Sequence, residues 1–302
     1  MRQVVVLSGK GGTGKTSVTA SLAHLASRQN RIVLVDADVD ASNLGILLRP
    51  DVRRSHRFEG GLLAVVDEAA CDRCGECAEA CRFGAVVSPG EVDALACDGC
   101  SACAHRCPAR AISMRPVVTG DWYESETRFG PLYHARLRPG RESSGKLVTE
   151  IRTAAIARAE RDRAGLVLVD GPPGIACPVI ASVAGADLAL IVTEPSVSGA
   201  RDMERALAAV VHFGVPTLLV VNKADLGPEW TDRIEDYARD RQIETSPPIP
   251  FDTSLTRTMA RREVATAVDG GPFAAGVRAL WNRLVIRLTP PAPRPASPRP
   301  AC

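Results

Sequence analysis

Short apolar runs alternate with segments of helical period along most of the chain. Gln3–Leu7 and Arg31–Asp36 are runs rich in Val, Ile and Leu, and Thr16–Arg28 between them carries helical period. The pattern predicts a parallel β-α-β opening. It resumes with a helix near Lys146–Arg163, strands at Leu166–Asp170 and Leu188–Thr193, a helix at Gly199–Phe213, a strand at Thr217–Asn222 and a helix at Pro228–Arg241. Such alternation predicts a doubly wound, mostly parallel α/β sheet, with ligands at the carboxyl ends of its strands. Between Gly60 and Pro116 the pattern breaks, which predicts a small inserted α+β module. The expected division is 1–59 and 117–288 for the α/β body, 60–116 for the insert and 289–302 for a Pro-rich tail, expected to be disordered. Val277, Leu280, Trp281, Leu284, Val285 and Leu288 form one apolar face against Arg278, Arg283 and Arg287. That face suits either the last core helix or a helix lying on a membrane surface.

Composition narrows the setting. The 302 residues are 45% hydrophobic and 24% charged, ordinary for a globular protein, and no apolar run reaches the roughly 18 residues of a membrane span. The start, Met1-Arg2-Gln3, has no secretory pattern, so a cytoplasmic location is expected. The net charge of +2 comes without a basic block, so neither nucleic acid nor a membrane is an expected partner. Lysine is rare: of 37 basic residues only Lys10, Lys15, Lys146 and Lys223 are Lys. A compact ammonium is not interchangeable with guanidinium, so these positions are candidates for chemistry.

Gly9-Lys10-Gly11-Gly12-Thr13-Gly14-Lys15-Thr16 fits GxxxxGK[ST], placed after a strand and opening a helix. Glycines let backbone amides close around phosphates, Lys15 neutralises the β and γ phosphates, and Thr16 suits Mg²⁺. Acids end other strands: Asp36-Ala37-Asp38-Val39-Asp40 and Asp170. Asn222-Lys223-Ala224-Asp225 ends a further strand and would read a purine base; as NKxD it leaves GTP open beside ATP.

Eight of the ten cysteines lie between Cys71 and Cys107. In a reducing compartment such crowding favours metal over disulfides. Cys71-x2-Cys74-x2-Cys77-x3-Cys81 recurs as Cys97-x2-Cys100-x2-Cys103-x3-Cys107-Pro108 at an offset of 26 residues. This is the bacterial ferredoxin run, with zinc as the competitor. In the two-cluster pattern the fourth Cys ligates the other cluster. The expected sets are Cys71, Cys74, Cys77 and Cys107 for one [4Fe-4S] cluster, and Cys97, Cys100, Cys103 and Cys81 for the other. Arg82 stands where the second copy has Pro108.

The second lysine of GKGGTGKT, Lys10, with the Asp36–Asp40 and Val169-Asp170-Gly171-Pro172-Pro173-Gly174 segments, resembles the deviant Walker A P-loop ATPases of the MinD/ParA superfamily. With the cysteine runs, Ser144-Gly145-Lys146-Leu147-Val148 and Val192-Thr193-Glu194-Pro195-Ser196, the chain is similar to members of that superfamily carrying an inserted two-cluster ferredoxin domain. The resemblance implies an ATPase acting as a homodimer in which Lys10 reaches the partner's nucleotide. It implies that Asp38 positions water or metal at the γ-phosphate, that Asp170 holds Mg²⁺ through water, that Asn222 contacts adenine and that Pro250 packs the base. ATP-gated electron transfer between unknown donor and acceptor proteins is the implied activity, with an Mrp-type iron-sulfur carrier or a MinD-like membrane-associated spatial regulator as alternatives. Cys177, seven residues past Asp170, matches a cluster-bridging cysteine of the nitrogenase iron protein. With only Cys302 left as a second thiol, it reads instead as a small buried residue.

Overall fold

The computed structural model describes residues 1–140, 145–268 and 271–289. Its elements in chain order are β1 (Arg2–Ser8), α1 (Lys15–Ser27), β2 (Ile32–Asp36), α2 (Leu44–Leu48), β3 (Asp51–Val66), α3 (Glu76–Glu79), β4 (Val86–Ser88), β5 (Glu91–Val92), α4 (Ala102–Arg106), β6 (Ile112–Thr127) and β7 (Gly130–Leu137). They continue with α5 (Gly145–Arg161), β8 (Leu166–Pro173), α6 (Cys177–Val183), β9 (Leu188–Thr193), α7 (Val197–His212), β10 (Thr217–Val221), α8 (Pro228–Asp240), β11 (Glu244–Thr245), α9 (Ser254–Ala260) and α10 (Gly271–Leu288). One sheet runs β11-β10-β9-β1-β8-β2-β7-β6-β3. From β11 to β7 every pairing is parallel; β6 and β3 are antiparallel additions.

Strands buried on both faces read as continuous apolar runs, and β1 shows why. Val5 and Leu7 join the cluster that includes Leu147 and Ile151 of α5 and Met203 and Leu207 of α7. Val4 and Val6 face the opposite cluster, with Val18 and Leu22 of α1 and Phe273, Val277 and Leu280 of α10. In α10, Val277, Leu280, Trp281 and Leu284 are buried. The last apolar face is therefore core and unavailable to a membrane surface. No helix among the described residues is long and apolar enough to cross one.

The insert does not leave the body through linkers. β3 and β6 pair from Asp51↔Glu126 to Val66↔Ile112, straight through the expected boundaries at 59/60 and 116/117. Beyond Gly120, β6 parts from β7 and the two strands continue as a ribbon. Gly60-Gly61 and Pro116 read as breakers, but they lie within this ribbon. The ladder shifts register between Phe58 and Gly61, and a side chain at Gly60 would meet Phe58 and Thr119. Pro is tolerated in such peripheral strands.

Residues 67–111 hang from the ribbon's end as α3, the β4-β5 hairpin and α4. Their small core is Ala64, Cys77, Ala85, Val86, Cys97 and Cys103. The sequence repeat is also a backbone repeat. Left-handed residues recur at the same offset: Arg73 and Gly99, Gly75 and Ser101, Gly84 and Arg110. The halves exchange hydrogen bonds, since the amide of Asp67 donates to the Ala111 carbonyl and that of Asp93 to the Ala85 carbonyl, both at 2.7 Å. Each repeat's start is thereby tied to the other's end, as a pseudo-two-fold requires. The tail beyond 289, with Cys302, and Ser144 lie outside the described residues.

Candidate functional site

Residues 9–16 link β1 to α1 at the carboxyl edge of the sheet. Gly14 caps α1 with φ 91°, and a side chain there would strike the Asn222 amide at 2.3 Å. Only glycine meets both demands. Lys15 is buried and donates to Asp170 Oδ1 at 3.0 Å, with Asp38 Oδ2 at 3.7 Å. Burial alone would push its ammonium down, but Asp170 and Asp38 hold it above its ordinary value. Thr16 Oγ1 donates to Asp170 Oδ2 at 2.7 Å and Thr19 Oγ1 to Oδ1 at 2.9 Å. A cavity of about 830 Å³ opens here, lined by Gly11, Gly12, Gly14, Lys15, Thr16 and Asp38 and, across it, by Asn222 and Pro250.

Two of its buried polar atoms, Thr13 Oγ1 and Asn222 Oδ1, have no hydrogen-bond partner among the described residues. An unmade bond at such an atom costs about 1–3 kcal/mol, which suits a polar ligand. Asn222 spends its amide nitrogen on the Thr13 carbonyl, at 2.7 Å. Asp225 departs from its expected place. It is not among the cavity-lining residues, and its Oδ1 accepts the Phe251 amide at 2.6 Å, so it fixes the loop that carries Pro250. The NKxD pair that would read guanine is thus split between two bracing tasks.

Lys10 and Lys223 share a partner that the motifs did not single out as a site residue. Lys10 Nζ lies 2.6 Å from Glu194 Oε1 and donates to Ser198 Oγ at 2.8 Å. Lys223 Nζ donates to Glu194 Oε2 and to the Gly12 carbonyl, both at 2.8 Å. Burial would raise the Glu194 carboxyl, yet the two ammonium groups hold it below its ordinary value. Glu194 follows β9 on the same sheet edge as Asp170, the signal that pointed to the other acids. Gly9 lies so close to α7 that a side chain would meet the Asp202 backbone at 2.2 Å.

Asp36, the other missed residue, is fully buried and accepts from Ser42 Oγ at 2.7 Å and the Leu44 amide at 3.0 Å. It ties the 38–43 loop to the end of β2. Burial and the facing Asp170 push its carboxyl up to about 7. A carboxyl raised above its unfolded value of about 4 contributes stability below that pH and loses it as pH rises toward its folded value. His134, pushed down to about 4 by burial, works oppositely, gaining stability as pH rises toward its unfolded value near 6.5. Asp36→Asn should therefore melt above wild type at pH 8 without nucleotide, with the gap closing at pH 5. Equal losses in melting temperature at both pH values would rule this out.

The cysteines divide as the pseudo-two-fold demands. Cys81, from the first repeat, shares a small cavity with Cys97, Cys100 and Cys103, walled by Ala64, Phe83, Val86, Val92 and Met114. The Ala85 amide donates to Cys81 Sγ and the Ala111 amide to Cys107 Sγ, both at 3.3 Å. Cys77, Cys97 and Cys103 are buried, Cys71, Cys81 and Cys107 partly so, and Cys74 and Cys100 exposed. Among the described residues no three Cys, His, Asp or Glu side chains converge closely enough to hold a single ion. A four-iron cube is ligated at its corners, a wider span than the roughly 2.3 Å Zn–S shell. An apolar cavity, four facing thiols and amide donors to sulfur suit such a group.

Lys146 is exposed on the first turn of α5, away from the P-loop. It lines a cleft with Thr149, Glu150, Cys177 and Ile180. Cys177, expected to be buried, is exposed at the start of α6, because the turn after β8 carries it outward.

A P-loop between a central parallel strand and its helix, with acids on the neighbouring strand ends, defines a nucleotide-binding α/β protein. The chain belongs to the family of the CobQ/CobB/MinD/ParA nucleotide binding domain, CbiA, which it matches over residues 4–265. It is similar to the uncharacterized protein MJ0578 of Methanocaldococcus jannaschii, 36% identical over 73% of this chain and 78% of that protein. The septum site-determining protein MinD of Synechocystis is 26% identical over 76% of this chain and 66% of that one. Among solved structures, MinD of Pyrococcus horikoshii complexed with Mg-ADP has a TM-score of 0.60 at 16% identity, covering 94% of this chain and 95% of that one. The MinC:MinD complex of Aquifex aeolicus gives 0.58 at 20% identity, covering 97% and 99%. At these identities the solved structures establish the fold alone.

Proposed function

We infer that this protein is an ATPase that dimerises around its nucleotide and couples ATP hydrolysis to electron transfer through two [4Fe-4S] clusters. The observation that carries this reading is the β3-β6 ribbon, which joins the nucleotide-site sheet to a segment where Cys81, Cys97, Cys100 and Cys103 line one cavity. Lys15 would meet the β and γ phosphates. Thr16 and Asp170, already 2.7 Å apart, would share Mg²⁺, Asp170 through water. Asp38 stands near Lys15 to orient the attacking water. The Mg-ADP of the Pyrococcus relative fits this assignment. Adenine is favoured because Asp225 is spent on the Phe251 amide, leaving Asn222 Oδ1 and Pro250 for the base.

When bound, the clusters supply one-electron chemistry between a donor and an acceptor protein. Cys71, Cys74, Cys77 and Cys107 would hold one and Cys97, Cys100, Cys103 and Cys81 the other. The burial of Cys77, Cys97 and Cys103 supports resident clusters over an iron-sulfur carrier that gives them up. The burial of the α10 apolar face weighs against a surface-binding regulator. Anaerobically purified protein should contain about eight iron and eight labile sulfide per chain, since each cube brings four of each. A preparation holding only zinc would overturn the reading, and transfer of the clusters to an apo-ferredoxin would favour the carrier.

A further inference from the structure

The two cysteine repeats differ most simply at one position, and that difference falls on one site only. Cys81 and Cys107 are equivalent by the 26-residue repeat. Each accepts an amide four residues on, at the same 3.3 Å. The first repeat continues with Arg82-Phe83, the second with Pro108-Ala109. The Arg82 guanidinium lies 4.7 Å from the centre of the Phe83 ring, and Phe83 walls the cavity of Cys81, Cys97, Cys100 and Cys103. Although Arg82 belongs to the first repeat in sequence, its charge stands beside the site built mostly from the second.

The loops themselves leave that asymmetry uncancelled. Between Cys71 and Cys77 stand Asp72, Arg73 and Glu76; between Cys97 and Cys103 stands only Asp98. Each loop thus carries one net negative charge. Glu76 is in turn paired with Arg106 at 3.2 Å. Arg82 has no counterpart in the second repeat, and the hydrogen bonds to Cys81 and Cys107 are alike.

We propose that Arg82 is a positioning charge that sets the two iron-sulfur sites apart in reduction potential, making the Cys81, Cys97, Cys100 and Cys103 site the more easily reduced. This rests on the two-cluster reading above. Adding one electron makes a cluster more negative, and a fixed cation beside it stabilises that reduced form; net charge is among the quantities that set such potentials. Stacking on Phe83 holds the guanidinium against the site instead of letting it range through solvent. The consequence is an order of filling, in which a single electron entering the protein resides at the Cys81 site.

The test is a dithionite titration of anaerobically prepared full-length protein, followed by electron paramagnetic resonance with iron and sulfide counted in the same samples. Wild type should reduce in two steps. In Arg82→Gln the first step should move to lower potential while the second stays. At a solution potential matching the wild-type first midpoint, the reduced-to-oxidised ratio should fall about threefold or more, the scale of one unit charge at the effective dielectric of a protein surface. Arg82→Lys, which keeps the charge, should restore most of the shift. Eight irons with both steps unmoved in Arg82→Gln, or with both moved equally, would overturn the proposal and leave the two-cluster reading standing. Fewer than eight irons in wild type would overturn both.

Discussion

Lys15→Ala should abolish ATP turnover, with a loss of at least about a hundredfold, the scale for removing one preorganised charge-stabilising donor. The side chain is buried between Asp170 and Asp38, so its removal has two consequences. The phosphates lose their central cation, and the Asp170 carboxylate loses its counter-charge. Breaking a buried pair by removing one partner costs about 3–5 kcal/mol, although the hydroxyls of Thr16 and Thr19 still reach Asp170. The variant should melt lower than wild type and fail to gain melting temperature on adding ATP.

Lys10→Ala separates this from an action between subunits. Lys10 is held within its own chain by Glu194 and Ser198, and it is not needed to balance Asp170. That variant should keep its melting temperature and bind ATP, yet lose turnover. If Lys10 works on the partner's nucleotide, mixing Lys10→Ala chains with Lys15→Ala chains should recover part of the turnover. In the mixed dimer one site then has its own Lys15 and a Lys10 from the other subunit. Mixtures as inactive as either variant alone would remove the dimeric mechanism.

The parallel body was legible in sequence because strands buried on both faces, such as Val4–Leu7 and Val33–Val35, are unbroken apolar runs with helical segments between them. The ribbon was not, for a physical reason. Along β3 most positions from Asp51 to Val66 are at least partly exposed, so neither face writes an apolar period. Gly60, Gly61 and Pro116 imitate breakers inside it. In the site, the P-loop and the acids at strand ends declared themselves through type and position. Glu194 and Asp36 did not, since their roles depend on what lies across the sheet edge: two lysines from separate loops for one, and Ser42 and the Leu44 amide for the other. Asp225 misled because a base-reading motif and a loop brace use the same carboxylate.

Nucleotide state should change the chemistry of the cysteine module. Asp38 stands 3.7 Å from Lys15 Nζ, where a γ-phosphate would displace or recruit it. The loop it opens is tied back to β2 by the bonds from Ser42 and Leu44 to Asp36. That loop runs into α2 and then directly into β3, whose far end reaches Val66 beside the cysteine segment. Loops that order around a γ-phosphate and relax after hydrolysis are two-state elements. Here a paired ribbon, not a flexible linker, extends from one. A coupling of roughly 1–3 kcal/mol is typical between such sites, and it is reciprocal. Cluster potentials should therefore differ between the nucleotide-free protein, the ADP form and a slowly hydrolysed ATP analogue, and reduced protein should bind the analogue with altered affinity by the same factor. Asp38→Ala should bind nucleotide with the shift reduced or lost, because it removes the group that senses the γ-phosphate. Identical potentials and identical chelator access to iron in all three wild-type states would mean that the two halves share a chain without sharing a mechanism.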